Sequence, residues 1–284
     1  MTNSQNNDML YEVADHIATI TFNRPEQQNT ISRDMLARFS ELLKRASMSR
    51  EMVARFSELL LEADATEDVR AIVITGTGKF FCAGLDLRGS DITDSLSDRS
   101  RRVSPTLDLR NTPPTVLHNI DTPTIAALNG SAAGYGMDIA LGCDMRIMAD
   151  TAKLAAAFTS RGIVPESGGT WILPRLIGWS KASEIIFTGK TLTASECEEM
   201  GLVSKIVNNN EVGSAAQDLA KRVAAQAPMA VQASKRMMRM GMDENFDDHV
   251  HHVFLQLLPL FQSDDFKEGM ASFMEKREAE FKGR

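Results

Sequence analysis

The stretch from Pro123 to Asp144, P-T-I-A-A-L-N-G-S-A-A-G-Y-G-M-D-I-A-L-G-C-D, limits the folds open to this chain more than any other. An apolar run, Ile125 to Leu128, stops at Asn129-Gly130, passes through small residues and restarts at Met137 as a segment long enough for a buried helix. The pattern predicts a strand, a tight turn and a helix. Gly134 and Gly136 leave the backbone around Tyr135 uncovered, so the amides that open the helix can approach a negative group, which the helix dipole favours.

A second stretch has the same character. Ala71 to Thr75 predicts a short strand, followed by Gly76-Thr77-Gly78-Lys79 and then Phe80 to Asp86, in which Ala83-Gly84 again offers backbone amides after a strand. Brought together, the two turns form a pair of donors around one oxygen. Enolate chemistry at a thioester loads negative charge on such an oxygen, and preorganised amides stabilise it.

Four segments, N-R-P-E-Q-Q-N-T (Asn23 to Thr30), F-C-A-G-L-D-L (Phe81 to Leu87), N-G-S-A-A-G-Y-G-M-D (Asn129 to Asp138) and G-I-V-P-E-S-G-G-T (Gly162 to Thr170), together resemble the crotonase superfamily, the enoyl-CoA hydratase/isomerase group. They occur in order over nearly the whole chain, with F-K-E-G-M-A-S-F-M-E-K-R near its end. The resemblance implies an α/β fold, a spiral of ββα repeats followed by a helical region that mediates assembly into trimers or hexamers. It also implies an acyl-CoA thioester as substrate, with no separate cofactor and no metal.

The resemblance assigns the oxyanion donors to the amides of Ala83 and Tyr135, with Gly134 and Gly136 admitting the thioester. Packing of helix on strand is the alternative use of those glycines. Hydratases of the family use two glutamates. Here the first position holds Asp138 and the second, by an ungapped count from Gly162, holds Phe158, which can neither hold a water nor move a proton. Glu166, before Ser167-Gly168-Gly169, resembles the single glutamate of members that shift a double bond between carbons 3 and 2. One base suffices, taking the C2 proton and returning it at C4. Enclosure by Phe158, Ile163 and Trp171 would raise its pKa. The alternatives are a helix-end charge for Glu166 and a buried helix-start hydrogen bonder for Asp138. The resemblance places adenine by the backbone from Ala83 through Gly84 and Asp86 to Leu87, with Phe273 and Lys276 reaching it from a neighbouring subunit; a plain surface lysine is the other reading of Lys276.

Favoured is therefore Δ3-Δ2-enoyl-CoA isomerisation with Glu166 as base. Hydration through Asp138 and Glu166 is the second reading, and a non-catalytic acyl-CoA binder is the third. Glycines at 134 and 136 without a third at the required spacing make a poor dinucleotide fingerprint.

Composition narrows the setting. With 284 residues, 43% hydrophobic and 24% charged, the chain can bury a large core, and its net charge of -7 argues against a general nucleic-acid surface. No apolar run approaches the roughly 20 residues that span a bilayer. Cys82, Cys143 and Cys197 lack C-x-x-C spacing, the N-terminus lacks a signal pattern and Lys282-Gly283-Arg284 is not a peroxisomal address, so a reducing cytoplasmic location is expected.

Ser32 to Leu43 recurs at Ser49 to Leu60 with a shift of 17 and ten of twelve positions identical. In one continuous helix the two apolar faces would be turned about 100° apart, so only one copy can dock on a given surface. The second, Ser49 to Ala63, is expected to dock because it leads directly into a strand. Leu87 to Pro114 is polar and predicts a loop or loosely held helix bordering a pocket, with Arg99, Arg101 and Arg102 either meeting a phosphate or forming a solvated face.

Strands are further predicted over Met9 to Val13, Ile17 to Phe22, Met145 to Ala149, Leu154 to Ala157 and Leu202 to Val207. Thr193-Ala194-Ser195-Glu196 is a capping box. From Val212 the pattern is helical, over 212 to 227, from Pro228, over Phe246 to Phe261 and over Asp264 to Lys282. This divides the chain into a spiral core, 1–211, and a helical oligomerisation region, 212–284. His16 is expected in a turn, His118 as structural, His249, His251 and His252 at a surface or interface, and Met229 to Met242 as adaptable packing.

Overall fold

The computed structural model describes residues 8–29, 51–84, 113–165 and 167–284. Its spine is a six-stranded sheet in the order β1-β2-β3-β5-β7-β10. β1 (Met9–Ala14) and β2 (Ile17–Phe22) form an antiparallel hairpin, turned by Asp15 and His16, both at positive φ. The other strands, β3 (Ala71–Gly76), β5 (Thr124–Leu128), β7 (Met145–Ala149) and β10 (Lys205–Val207), run parallel to β2. β5 is buried at every position, as a parallel strand covered on both faces should be.

Each of the parallel strands β3, β5 and β7 is followed by a three-residue strand of a second sheet: β4 (Phe80–Cys82), β6 (Ser131–Ala133) and β8 (Lys153–Ala155). β9 (Thr191–Thr193) closes that sheet, in the order β4-β6-β8-β9. Helices then return the chain: α2 (Pro113–Asn119) after β4, α3 (Tyr135–Gly142) after β6, and α4 (Gly169–Ile177) with α5 (Trp179–Thr188) after β8. This is the expected ββα spiral.

Helix α1 (Glu51–Ala65) is the second copy of the repeated sequence, and Phe56, Leu59, Leu60 and Ala63 bury its face in the core. Its end is fixed by Asp64, whose carboxylate accepts from the Asp121 amide at 3.1 Å, the Thr122 amide at 2.9 Å and the Thr122 hydroxyl at 2.8 Å. In the first copy the residue matching Asp64 is Ser47, while Phe39, Leu42, Leu43 and Ala46 match the buried four. The apolar face is thus common to both copies, and the carboxylate that ties the helix to the core belongs to the second alone. The first copy, Ser32 to Leu43, lies outside the described residues. Deleting 32–48 is expected to leave the thermal midpoint unchanged or slightly raised, because the docked helix is intact and fewer residues separate it from β2. A loss of more than about 2 kcal/mol in a denaturant titration would show instead that the first copy packs.

α6 (Ala194–Glu199) opens with the predicted capping box: the Glu196 amide donates to the Thr193 hydroxyl at 3.3 Å, and the Thr193 amide donates to the Glu196 carboxylate at 2.8 Å. α7 (Val212–Ala224) buries Val212, Ala216, Ala220 and Ala224 in the same core as the sheet. The composition change at residue 212 is therefore not a packing boundary, since small residues at every fourth position let this helix lie flat on the strands.

α8 (Pro228–Met240) is tied to the core by polar contacts. Arg236 and Arg239 donate to the Asp121 carboxylate, and Lys235 pairs with Asp144 at 2.8 Å. α9 (Phe246–Leu260) buries none of its residues within one chain. The last helix, α10 (Asp264–Glu275), is shorter than the sequence predicts. Lys276 takes a left-handed conformation at its end, and residues 277–284 run back along it. Arg277 pairs with Glu268, holding that carboxyl down at a pKa of about 2, and the Lys282 and Gly283 amides donate to Asp265.

Arg146 is a buried charge with a structural task. Its guanidinium donates to the carbonyls of Ala140 and Leu141 at 3.3 Å, closing the end of α3, and reaches the Leu202 and Cys143 carbonyls at 2.5 Å. Burial lowers its pKa. Arg146→Ala is expected to cost roughly 3 kcal/mol in urea denaturation, because it leaves several buried carbonyls without donors.

Candidate active site

The two glycine turns follow β4 at Gly84 and β6 at Gly134, and two asparagines hold the segment that leads from β3 into β4. The Asn129 side chain accepts from the Gly76 amide at 3.1 Å and donates to the Gly78 carbonyl at 3.1 Å. Asn29, fully buried and at positive φ, donates to the carbonyls of Thr77 at 2.7 Å and Phe80 at 2.6 Å, and accepts from the Arg24 amide at 2.8 Å. Both residues stand in the quoted motifs, but their role was not legible there. The only sequence signal was an asparagine beside each turn, a residue that bonds backbone and tolerates a left-handed conformation.

The turns meet. A Cβ on Gly84, whose φ is +88°, would lie 2.7 Å from the Ala133 carbonyl and 3.4 Å from the Tyr135 amide nitrogen. Tyr135 begins α3, so its amide belongs to the first turn, where a helix presents donors along its dipole. Gly134 adopts φ 53°, ψ -123°, a conformation reserved for glycine, and donates its own amide to the Ala155 carbonyl at 3.0 Å. At Gly136 a Cβ would fall 2.1 Å from the Cys82 carbonyl oxygen, so this glycine is required for helix-on-strand packing, the alternative use considered for it.

Ala83 requires a correction. Its amide donates to the Gln28 carbonyl at 3.2 Å, which makes it a poor oxyanion donor. The Gly84 amide bonds the Cys82 thiol. That thiol, with those of Cys143 and Cys197, is pushed up to about 12 by burial, so none is a ready nucleophile.

Asp138, in the first turn of α3, is 4% exposed. Its carboxylate lies against the first residue of α4, where a Cβ on Gly169 would be 2.3 Å from Oδ1 and 3.0 Å from Oδ2. Only a glycine there lets α4 start beside the acid. Phe158 is 2% exposed, and its ring edge is 3.9 Å from the Cβ position of Gly134. It therefore forms a wall at the glycine turn. Trp171, one turn into α4, meets the His118 ring edge-on at 5.2 Å and carries the Arg175 guanidinium 3.9 Å above its face. Burial, then Arg239, lowers the His118 pKa, in keeping with a structural place between helices.

Glu166, Asp86 and Leu87, and with them Arg99, Arg101 and Arg102, lie outside the described residues. Phe273 is 77% exposed, and Lys276 follows the end of α10 rather than sharing a helical face with it. The tail beside α10 is bound to the start of β3, where Arg70 donates to the Phe281 carbonyl at 2.8 Å, whereas the glycine turns lie at the strand's other end. Among the described contacts, none brings Phe273 or Lys276 to the turns of their own chain. His249 and His252 both bond the Glu244 carboxylate, at 3.0 and 2.9 Å, and among the described residues no group of three His, Cys, Asp or Glu is placed to hold a metal ion. Nor is any described helix long and apolar enough to cross a membrane.

A ββα spiral with C-terminal helices, in which a helix N-terminus and a glycine turn converge beside a buried carboxylate, defines a class of α/β proteins. The enoyl-CoA hydratase/isomerase family model matches residues 44–284, and this chain belongs to that crotonase family. The match begins just after the first copy of the repeat and takes in the whole of α1. The chain is 32% identical over 280 residues to the 1,2-epoxyphenylacetyl-CoA isomerase of Escherichia coli (strain K12), covering 97% of this chain and 98% of that one. It is 31% identical over 280 residues to the short-chain-enoyl-CoA hydratase of Clostridium acetobutylicum, covering 98% and 99%. The crystal structure of an enoyl-CoA hydratase subunit from Geobacillus kaustophilus HTA426 superposes with a TM-score of 0.84 at 30% identity, covering 99% and 100%.

Proposed function

We propose that this acyl-CoA enzyme shifts a double bond between carbons 3 and 2 of an enoyl thioester, with Glu166 as the single base. The observation that carries the reading is Phe158, buried against the Gly134 turn, at the position where the family resemblance puts the second carboxylate of a hydratase. The thioester oxygen is received by the Tyr135 amide and by an amide of the turn that follows β4, which converges on it. Glu166 takes the C2 proton, the dienolate charge rests on the oxygen between the amides, and the proton returns at C4.

One observation favours hydration as a second reading. The Asp138 carboxylate abuts Gly169, three residues from Glu166 in sequence, so two acids near one water are compatible with the chain path. Mass spectrometry in heavy water separates the two. Moved double bonds with deuterium incorporated and no gain of water from trans-3-enoyl-CoA support isomerisation, whereas gain of water on trans-2-enoyl-CoA supports hydration. Neither reaction, with acyl-CoA still bound, would leave the protein a binder.

The proposed assembly is a trimer or a hexamer. α9 exposes Val250, Val253, Phe254, Leu257 and Leu258, an apolar surface that a second copy would cover. Phe273 and Lys276 of a neighbour then complete the coenzyme A site. We place the helical oligomerisation region of 212–284 chiefly in α8 to α10, and the protein in the cytoplasm, in keeping with three buried free thiols.

A further inference from the structure

The slot that α1 fills is recognised by five buried side chains, and both copies of the repeat carry them. Over residues 55–64, α1 buries Phe56, Ser57, Leu59, Leu60 and Ala63, and Phe56 packs on Phe22 of β2 with ring centroids 5.1 Å apart. The matching residues of the first copy are Phe39, Ser40, Leu42, Leu43 and Ala46, identical at all five positions. Over the same span the copies differ only at the exposed Leu61 and Glu62, matched by Lys44 and Arg45, and at Asp64, matched by Ser47. Of these it is Asp64 that bonds core backbone, at Asp121 and Thr122. The chain path admits either copy. Asn29 stands beside the Gly84 turn, where the Gln28 carbonyl takes the Ala83 amide, and Asp64 stands at the other end of the sheet, against the residues that lead into β5. With the second copy docked, residues 30–50 join Asn29 to Glu51. With the first copy docked, Asp34 would take the place of Glu51, and the 17 residues of the shift would fall between the helix and β3. Loop closure depends only weakly on length, so moving this surplus from one side of the helix to the other leaves the two arrangements close in free energy.

We propose that the α1 slot is a two-state element, in which residues 34–48 exchange with α1 within one molecule and the Asp64 carboxylate sets the balance. The apolar contacts cannot discriminate, because the five buried residues are the same. Asp64 can, since it receives three donors that Ser47 has no carboxylate to receive. Hydrogen bonds to a charged group are strong enough to make docking of the first copy rarer by about 100-fold. Each exchange carries the surplus residues from the end of the sheet beside the Gly84 turn to the end where β3 begins.

The test is hydrogen–deuterium exchange, read by mass spectrometry on peptides covering 34–46 and 51–63, in wild type, Ser47→Asp and the double variant Ser47→Asp/Asp64→Ser. In wild type the amides of 51–63 are expected to be protected about 100-fold more than those of 34–46. Ser47→Asp gives both copies the carboxylate and leaves every contact of α1 in place. The two segments should then reach equal protection, each docked about half of the time, so that 51–63 loses nearly all of its advantage. The double variant should reverse the wild-type order. Unchanged protection of both segments in Ser47→Asp would overturn the proposal, as would a double variant in which 51–63 loses protection and 34–46 gains none. Equal protection of both copies in wild type would overturn it too, by showing that both pack at once. So would an order that changes with protein concentration, because the first copy would then be docking in a neighbouring molecule.

Discussion

Replacing Glu166 with glutamine is expected to slow exchange of the acyl C2 proton with solvent deuterium by about 1,000-fold while leaving acyl-CoA affinity within about threefold. Glutamine keeps the size and most of the polarity of glutamate but cannot accept the proton. Under the one-base mechanism, both the abstraction at C2 and the return at C4 pass through this carboxylate, so the variant should lose turnover without losing binding. Asp138→Asn provides the contrast. If Asp138 positions the α3–α4 corner, its loss should cost far less exchange than that of Glu166. Two variants that are equally silent would favour the two-acid hydratase. A Glu166→Gln enzyme that still exchanges deuterium at the wild-type rate would remove the base from the proposal altogether.

The second large effect is expected at Gly136. An alanine there would place its Cβ 2.1 Å from the Cys82 carbonyl oxygen, so strand β4 and the start of α3 must separate. Neither side can yield by rotating a side chain, because the obstructing atom is backbone. Overpacking of this kind costs typically 1–3 kcal/mol, and a backbone obstruction belongs at the upper end, about 3 kcal/mol. Activity should fall further than stability. The displaced helix carries the Tyr135 amide, and oxyanion donors depend on fixed placement, where removing one costs 10²–10³ in kcat. Gly142 is the control: an added Cβ meets only the Leu117 side chain at 3.4 Å, an ordinary contact, so Gly142→Ala should retain near-wild-type turnover. Urea titration alongside steady-state kinetics on an enoyl-CoA checks both.

Much of this molecule was legible because it is written in local chemistry. The strand-turn-helix units around Ala126 and Ile74 announce themselves through apolar runs broken by glycine, and the Thr193 capping box through four adjacent residues. The docking of the second repeated helix also followed from a rule of angle and chain order. The end of α10 was missed because Lys276 is a good helix former, and its left-handed turn is stabilised by the pairing of Arg277 with Glu268 and by the amides that Asp265 receives from the tail, contacts that propensity does not report.

The site divides in the same way. The sequence by itself determined that two glycine turns would follow two strands and that helices would begin beside them, and it showed Asp138 and Phe158 at the positions where the resemblance expects the two acids of a hydratase. The tertiary structure alone decided which amides in those turns are engaged. The Gln28 carbonyl, 55 residues earlier in the chain, takes the Ala83 amide, and the Cys82 carbonyl dictates a glycine at 136. Hydrogen bonds and close contacts between distant segments depend on how the layers settle against one another, and chain order leaves that unstated until the core is packed.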